Sequence, residues 1–279
     1  VEKLGDRGQA YLARFSAGAL RLAQAKKREL MLDLMYQALG GDLSEKALAE
    51  LQAGAYRHMG RTVVEFLRLP SLRPEQIAAL VRLEGEELLR QAIAHGKGVI
   101  ILTAHFGNWE LLGARLAQVF GPGKFYVIAQ PQREARLTQL MDKVRAGKGV
   151  QVIPRGKAAR ETLQVLRQGA GVGILLDIDV KEQGILVDFM GQPAATATSV
   201  AAFALRTGAA VVPVFAQRQP DGRHVARVLP EVPLDRSDDM EQDLRSNTAR
   251  FSAIIGEQVR ACPEQWIWLP NRWRSASGD

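Results

Sequence analysis

Cysteine is all but missing from this chain of 279 residues, with Cys262 the only one. One thiol builds neither a disulfide framework nor a cysteine-based zinc site, so a reducing compartment is the default expectation. Long apolar runs are missing as well. The longest stretch without a charge, residues 189–205, contains Gln192, Pro193, Thr196, Thr198 and Ser199 and is too polar to span a bilayer. Aromatic residues make up only 6%, and no aromatic-lined basic groove or known nucleic-acid module is visible, which argues against nucleic-acid binding. Acidic residues are in short supply, 30 against 37 Lys plus Arg, and the resulting net charge of +7 invites an anionic partner. What remains is ordinary globular material, 47% hydrophobic and long enough for one large α/β domain or two smaller ones.

Residues 8–70 carry helical periodicity, with Leu12, Phe15, Leu20, Leu30, Leu34 and Leu39 recurring at three- and four-residue steps. Gly40-Gly41 ends one helix, Asp42 or Ser44 can cap the next, and Pro74 opens another in its first turn. From about residue 85 the pattern becomes repeated units of helix, glycine stop and apolar strand. The helices 86–94, 136–145 and 158–166 lead to the strands 99–104, 150–153 and 172–176, through stops at Gly96 to Gly98, Gly147 to Gly149 and Gly169 to Gly171. Uniformly apolar strands suit a sheet covered on both faces. A helix over 199–207 then leads to a strand over 209–217, a turn at Pro220-Asp221-Gly222 and a partner strand over 224–229, before a last helix over 241–261. The expected fold is therefore α/β: a mostly parallel central sheet flanked by helices, with an α-helical N-terminal region (1–84), an α/β core (85–279) and an antiparallel hairpin at one edge.

Functional groups in such a sheet gather beyond the carboxyl ends of the strands. His105 leaves the first strand there, Gly107 allows a tight bend, and Asn108 can cap the helix that opens with Trp109 and Glu110. Glu110 in that first turn can hold one imidazole nitrogen and leave the other as a general base. The other three histidines have Val63, Ile100 and Leu229 at the same offset, so the pairing is confined to His105. No G-x-S-x-G elbow is present, and Cys262 lies far from any strand end, so the base points to direct transfer without a covalent enzyme intermediate. Gly169-x-Gly171-x-Gly173 precedes a strand rather than a helix, which is the reverse of a dinucleotide fingerprint. Asp177 and Asp179 end the third strand on the same rim, where they can bond acceptor hydroxyls or an arginine. They are also spaced as a metal pair, but no further ligand accompanies them.

Ala104 to Glu110, read Ala-His-Phe-Gly-Asn-Trp-Glu, resembles the catalytic motif of the bacterial lipid A biosynthesis acyltransferase family, which includes lauroyl and myristoyl acyltransferases and phosphatidylinositol mannoside relatives. Val152-Ile153-Pro154-Arg155, Leu176-Asp177-Ile178-Asp179, the segments 189–196, 205–209 and 211–214, and Pro263-Glu264-Gln265-Trp266-Ile267-Trp268 follow in family order, covering about residue 45 to the end. The resemblance implies acyl transfer from a thioester, on acyl carrier protein or coenzyme A, to a hydroxyl of a membrane glycolipid such as a lipid A precursor. His105 would be the base and Glu110 its orienting carboxylate, with no cofactor and no metal. A phosphatidylinositol mannoside, glycerol phosphate or aminolipid acceptor, or a catalytically idle lipid-binding protein, are the alternatives.

The oxyanion of such a reaction needs donors, and the amides at Asn108, Arg145 or Arg155 are candidates for that or for phosphate contact, with plain surface arginines as the other reading. Gly191 and Thr196 shape either a helix cap or the substrate cleft. Trp266, Trp268 and Trp273, interleaved with Arg272 and Arg274, suit a bilayer interface or else pack the core. The basic start, Arg14, Arg21, Lys26, Lys27 and Arg28, suits a solvated or membrane-facing helix. The family usually carries an N-terminal membrane-anchoring helix. A chain that starts at Val1 without one leads us to expect an anchor missing from the sequence given, and the cytoplasmic face of the inner membrane as its site.

Overall fold

The structure is a computed structural model that describes residues 5–40, 43–269 and 271–275. Three long helices come first: α1 (Asp6–Ala23), α2 (Arg28–Leu39) and α3 (Glu45–Arg68). Ser44 caps α3 by accepting from the Ala47 amide; Gly41 and Asp42, read as helix stop and alternative cap, lie outside the described residues. Two small residues let α1 lie close on α3. Ala13 and Ala17 are buried against Gly60, where a Cβ would stand 2.3 Å from the Ala13 carbonyl oxygen.

The chain then alternates: α4 (Pro74–Leu80), β1 (Val81–Glu84), α5 (Glu86–Ala94), β2 (Val99–Thr103), α6 (Trp109–Phe120), β3 (Phe125–Ala129), α7 (Ala135–Ala146), β4 (Val150–Pro154), α8 (Ala158–Arg167), β5 (Gly171–Leu175), β6 (Ile185–Phe189), β7 (Gln192–Thr196), α9 (Ser199–Thr207), β8 (Ala210–Arg218), β9 (His224–Val228) and α10 (Met240–Ala261). Seven strands form one sheet in the order β1-β9-β8-β2-β5-β3-β4. Every pairing is parallel except β8 with β9. In β2, Ile100 and Leu102 join the core on one face of the sheet, and Val99 and Ile101 the core on the other, so the strand is buried on both sides.

Four strands go beyond the expected set. β1 falls inside the span read as helical and pairs in parallel with β9, so the antiparallel β8–β9 hairpin stands one strand in from the edge. β3 follows Gly121 just as the other strands follow their glycine stops, and completes the run from β5 to β4. β6 and β7 make a separate antiparallel pair whose turn is Met190-Gly191, both at positive φ, as a two-residue hairpin turn requires.

Candidate active site

β2 and β5 are neighbours in register, Thr103 opposite Leu175. Residues two places beyond that pair, His105 and Asp177, therefore emerge side by side from the carboxyl ends of adjacent strands. The Asp177 carboxylate accepts from the His105 ring and backbone together, with Oδ1 2.9 Å from Nδ1 and Oδ2 2.8 Å from the amide nitrogen. The Trp266 indole Nε1 donates to Oδ2 from a third direction at 2.8 Å. Burial alone would raise the Asp177 pKa, but His105 and these donors outweigh it and hold the carboxyl below its usual range. Burial likewise opposes charge on His105, yet the charges of Asp177 and then Glu110 lift its pKa above the ordinary 6.5. Nδ1–H is committed to Asp177, which leaves Nε2 as the ring's acceptor, with no partner among the described residues. The ring is one quarter exposed and sits edge-on to Trp109 at 5.2 Å. This arrangement fixes the tautomer and gives Nε2 the chemistry that a general base requires.

Spacing within the motif assigns Glu110 to the orienting place; the structure puts Asp177 there. Glu110 turns instead to Arg145 of α7, which donates Nε to Oε2 at 3.0 Å and Nη2 to Oε1 at 2.5 Å. Burial would lower the Arg145 pKa, and the Glu110 carboxylate reverses this and raises it. Arg145 is thus a clamp between α6 and α7 rather than a free anion donor. Arg155 lies exposed beyond β4 and bonds Gln130 at 2.8 Å. The Asn108 side chain is fully engaged as well: Oδ1 caps α6 by accepting from Leu111 N at 2.9 Å, and Nδ2 donates to Glu65 of α3 at 2.6 Å.

Asp179 does not join Asp177 in a cation site. It accepts from Ser275 N at 2.9 Å, Ser275 Oγ at 2.6 Å and Lys181 N at 2.8 Å, tying the C-terminal segment down. Among the described residues no cluster of three or more His, Cys, Asp or Glu is placed to hold a metal. Gly191 serves the β6–β7 turn. Thr196 ends β7 and accepts from Arg272 Nη2 at 2.5 Å. The membrane-facing reading of the tryptophans is corrected: Trp266, Trp268 and Trp273 are 2%, 1% and 7% exposed and stack on one another and on Phe189. Their indole nitrogens bond Asp177, the Pro263 carbonyl and the Phe189 carbonyl, so the segment that looked like a bilayer edge is the back wall of the site.

Sequence reasoning misses the buried polar group behind Gly107. His58 of α3 donates Nε2–H to the Gly107 carbonyl at 2.9 Å while its Nδ1 accepts from Arg218 Nη1. Burial, then Arg218, pushes the His58 pKa down to about 3, so the ring is neutral and its tautomer set. Arg218 also grips Glu65 through Nε at 3.0 Å and Nη2 at 2.6 Å. Partners 43 to 160 positions apart leave no local signal. The C-terminal segment completes the cradle, with Gly107 N donating to Gln265 O at 2.8 Å and Ile267 N donating to His105 O at 3.1 Å. Arg272, 1% exposed and 5.1 Å over the Phe189 ring, anchors the same segment by donating to Ala195 O at 2.7 Å.

Trp266→Phe keeps the aromatic packing and removes one donor to a buried carboxylate, worth about 1.5–3 kcal/mol. The expected result is a fall in kcat of about tenfold to a hundredfold with KM little changed, read by steady-state kinetics beside a thermal melt.

A model of the bacterial lipid A biosynthesis acyltransferases matches residues 16–275. The chain is 26% identical over 213 residues to the phosphatidylinositol mannoside acyltransferase of Mycolicibacterium smegmatis, covering 75% of this chain and 67% of that protein. It is 23% identical over 260 residues to the lipid A biosynthesis lauroyltransferase of Escherichia coli, covering 92% and 83%. Among solved structures it is similar to the 1-acyl-sn-glycerophosphate acyltransferase of Thermotoga maritima, with a TM-score of 0.41 and 15% identity over 85% of this chain and 97% of that one. The family model spans nearly the whole chain, and the chain therefore belongs to the bacterial lipid A biosynthesis acyltransferase family.

Proposed function

We propose that this acyltransferase moves a fatty acyl chain from a thioester, on acyl carrier protein or coenzyme A, to a hydroxyl of a membrane glycolipid such as a lipid A precursor. The observation that carries the reading is the free Nε2 of His105, with Nδ1 held by Asp177, in a chain of this family. Nε2 takes the proton of the acceptor hydroxyl as its oxygen attacks the thioester carbonyl. Asp177 stabilises the imidazolium that forms. The oxyanion meets the positive end of α6, where the Trp109 and Glu110 amides have no acceptor among the described residues. Collapse expels the thiolate, which leaves with the proton from His105, so an ester and a thiol form and no acyl-enzyme is needed. A thioester is already activated, and the reaction balances without a cofactor.

A phosphatidylinositol mannoside acceptor is the second reading, favoured by the 26% identity to the mycobacterial enzymes against 23% to the lauroyltransferase. With either acceptor, the reading locates the reaction at the cytoplasmic face of the inner membrane. Among the described residues no helix is long and apolar enough to cross a bilayer. The test supplies acyl-coenzyme A or acyl carrier protein with each acceptor in detergent micelles, following thiol release and the mass of the lipid. Thiol release that requires one acceptor, with one acyl mass added to it, is the expected result. Lipid binding without turnover on any acceptor would leave an idle binding protein instead.

A further inference from the structure

α1 is turned inside out for a surface helix. Its small residues Ala13 and Ala17 face the protein, while Tyr11, Phe15 and Leu22 are 75%, 67% and 79% exposed. Spacings of four and seven residues put these three on one stripe, and the opposite face is locked by the close approach to Gly60, so packing determines which way the stripe points. Arg7, Arg14 and Arg21 follow one flank at seven-residue steps, and Lys26 and Lys27 continue the charge beyond the helix end; all five are exposed. None of the five forms an ion pair with a carboxylate among the described residues.

We propose that this outer stripe of α1, Tyr11, Phe15 and Leu22 with the flanking arginines, docks the protein in plane on an anionic lipid bilayer. Charge complementarity selects that occupant. Apolar side chains enter the acyl boundary, the tyrosine hydroxyl stays at headgroup level, and a row of unpaired cations needs a continuous negative surface rather than a single acid. The docking face serves the glycolipid acyl transfer proposed above, bringing the enzyme to a substrate that does not leave the membrane.

The test is co-sedimentation of the full chain with vesicles of phosphatidylcholine alone or with one third phosphatidylglycerol. The wild type is expected to partition onto the anionic vesicles and to be released by salt. Tyr11→Ser, Phe15→Ser and Leu22→Ser together should reduce partitioning at least tenfold. Arg7→Gln, Arg14→Gln and Arg21→Gln together should reduce it about a hundredfold at low salt, from about fivefold per cation near the surface. Both sets should leave turnover on micellar acceptor unchanged, which separates a failure of docking from a failure of the acyl-transfer reading. Phe15→Cys carrying a polarity-sensitive dye gives a second readout with a single substitution, because Cys262 is buried, and its emission should shift to the blue only with anionic vesicles. Partitioning unchanged by both triple variants, or a solution dimer that the serine variant converts to monomer, would overturn the proposal, the latter by assigning the stripe to a second copy of the chain.

Discussion

Asp177→Asn is expected to slow acyl transfer by about 10²- to 10⁴-fold, the range a positioned base contributes, with thiol release as the measurement. The substitution is nearly isosteric, so packing survives while the electrostatics reverse. An asparagine amide can present a donor to Nδ1, which then becomes the acceptor and leaves Nε2–H facing the substrate. A ring in that tautomer cannot take the acceptor's proton at Nε2. The charge that stabilises the imidazolium disappears in the same step. Glu110→Gln should behave differently. It strips the counterion from Arg145 and loosens α6 against α7, but it leaves Nδ1 of His105 on Asp177. Its effect on the pH dependence of catalysis should therefore be the smaller of the two.

Gly107→Ala should damage both fold and activity. The residue sits at φ +58°, and a Cβ there would lie 1.6 Å from the Ala216 carbonyl oxygen and 2.8 Å from its carbon, both backbone atoms of β8. No side-chain rotation relieves such a clash. The turn must move, and with it go the bonds from His58 to the Gly107 carbonyl and from Gly107 N to Gln265, which hold the main chain directly after His105. Overpacking of this kind costs about 3 kcal/mol. A drop of several degrees in Tm by circular dichroism, together with a loss of activity of at least about a hundredfold, is the expected outcome. A melt and a rate like the wild type would show that the turn is not under this constraint.

β2, β4, β5 and β8 were readable because each follows a helix and a glycine and is mostly apolar, whereas β1 follows α4 with no glycine and alternates with charge; the helix boundaries 86–94 and 199–207 agree with the structure. His105 was readable for the same reason, as a polar group at the end of such a strand. Its partner was not. Asp177 stands 72 positions away and meets His105 only because β5 lies beside β2 in a register that brings the two strand ends level. The local i+5 spacing in the motif drew attention to Glu110, a residue that does sit near the ring but spends its oxygens on Arg145. The tryptophans show the limit of composition: alternating rings and cations read equally well as a bilayer edge or as buried packing. The burial of all three rings, their indole hydrogen bonds and the burial of Arg272 separate the two. The real apolar outer face is on α1, where the large side chains leave the protein because Gly60 admits nothing bigger than alanine opposite it.

With only four histidines in the chain, each ring can be followed separately by its Cε1–Hε1 correlation in a pH titration of the wild type, Asp177→Asn and Glu110→Gln. Asp177 and Glu110 raise the His105 pKa against the effect of burial, so a base at this position should be inactivated as pH falls through a midpoint above 6.5. His58, in contrast, should stay neutral down to about pH 3 and serves as the internal reference. The wild-type His105 midpoint is expected above 6.5 and should fall on both substitutions, furthest with Asp177→Asn. A midpoint below 6.5 in the wild type, or a larger fall with Glu110→Gln than with Asp177→Asn, would contradict this expectation.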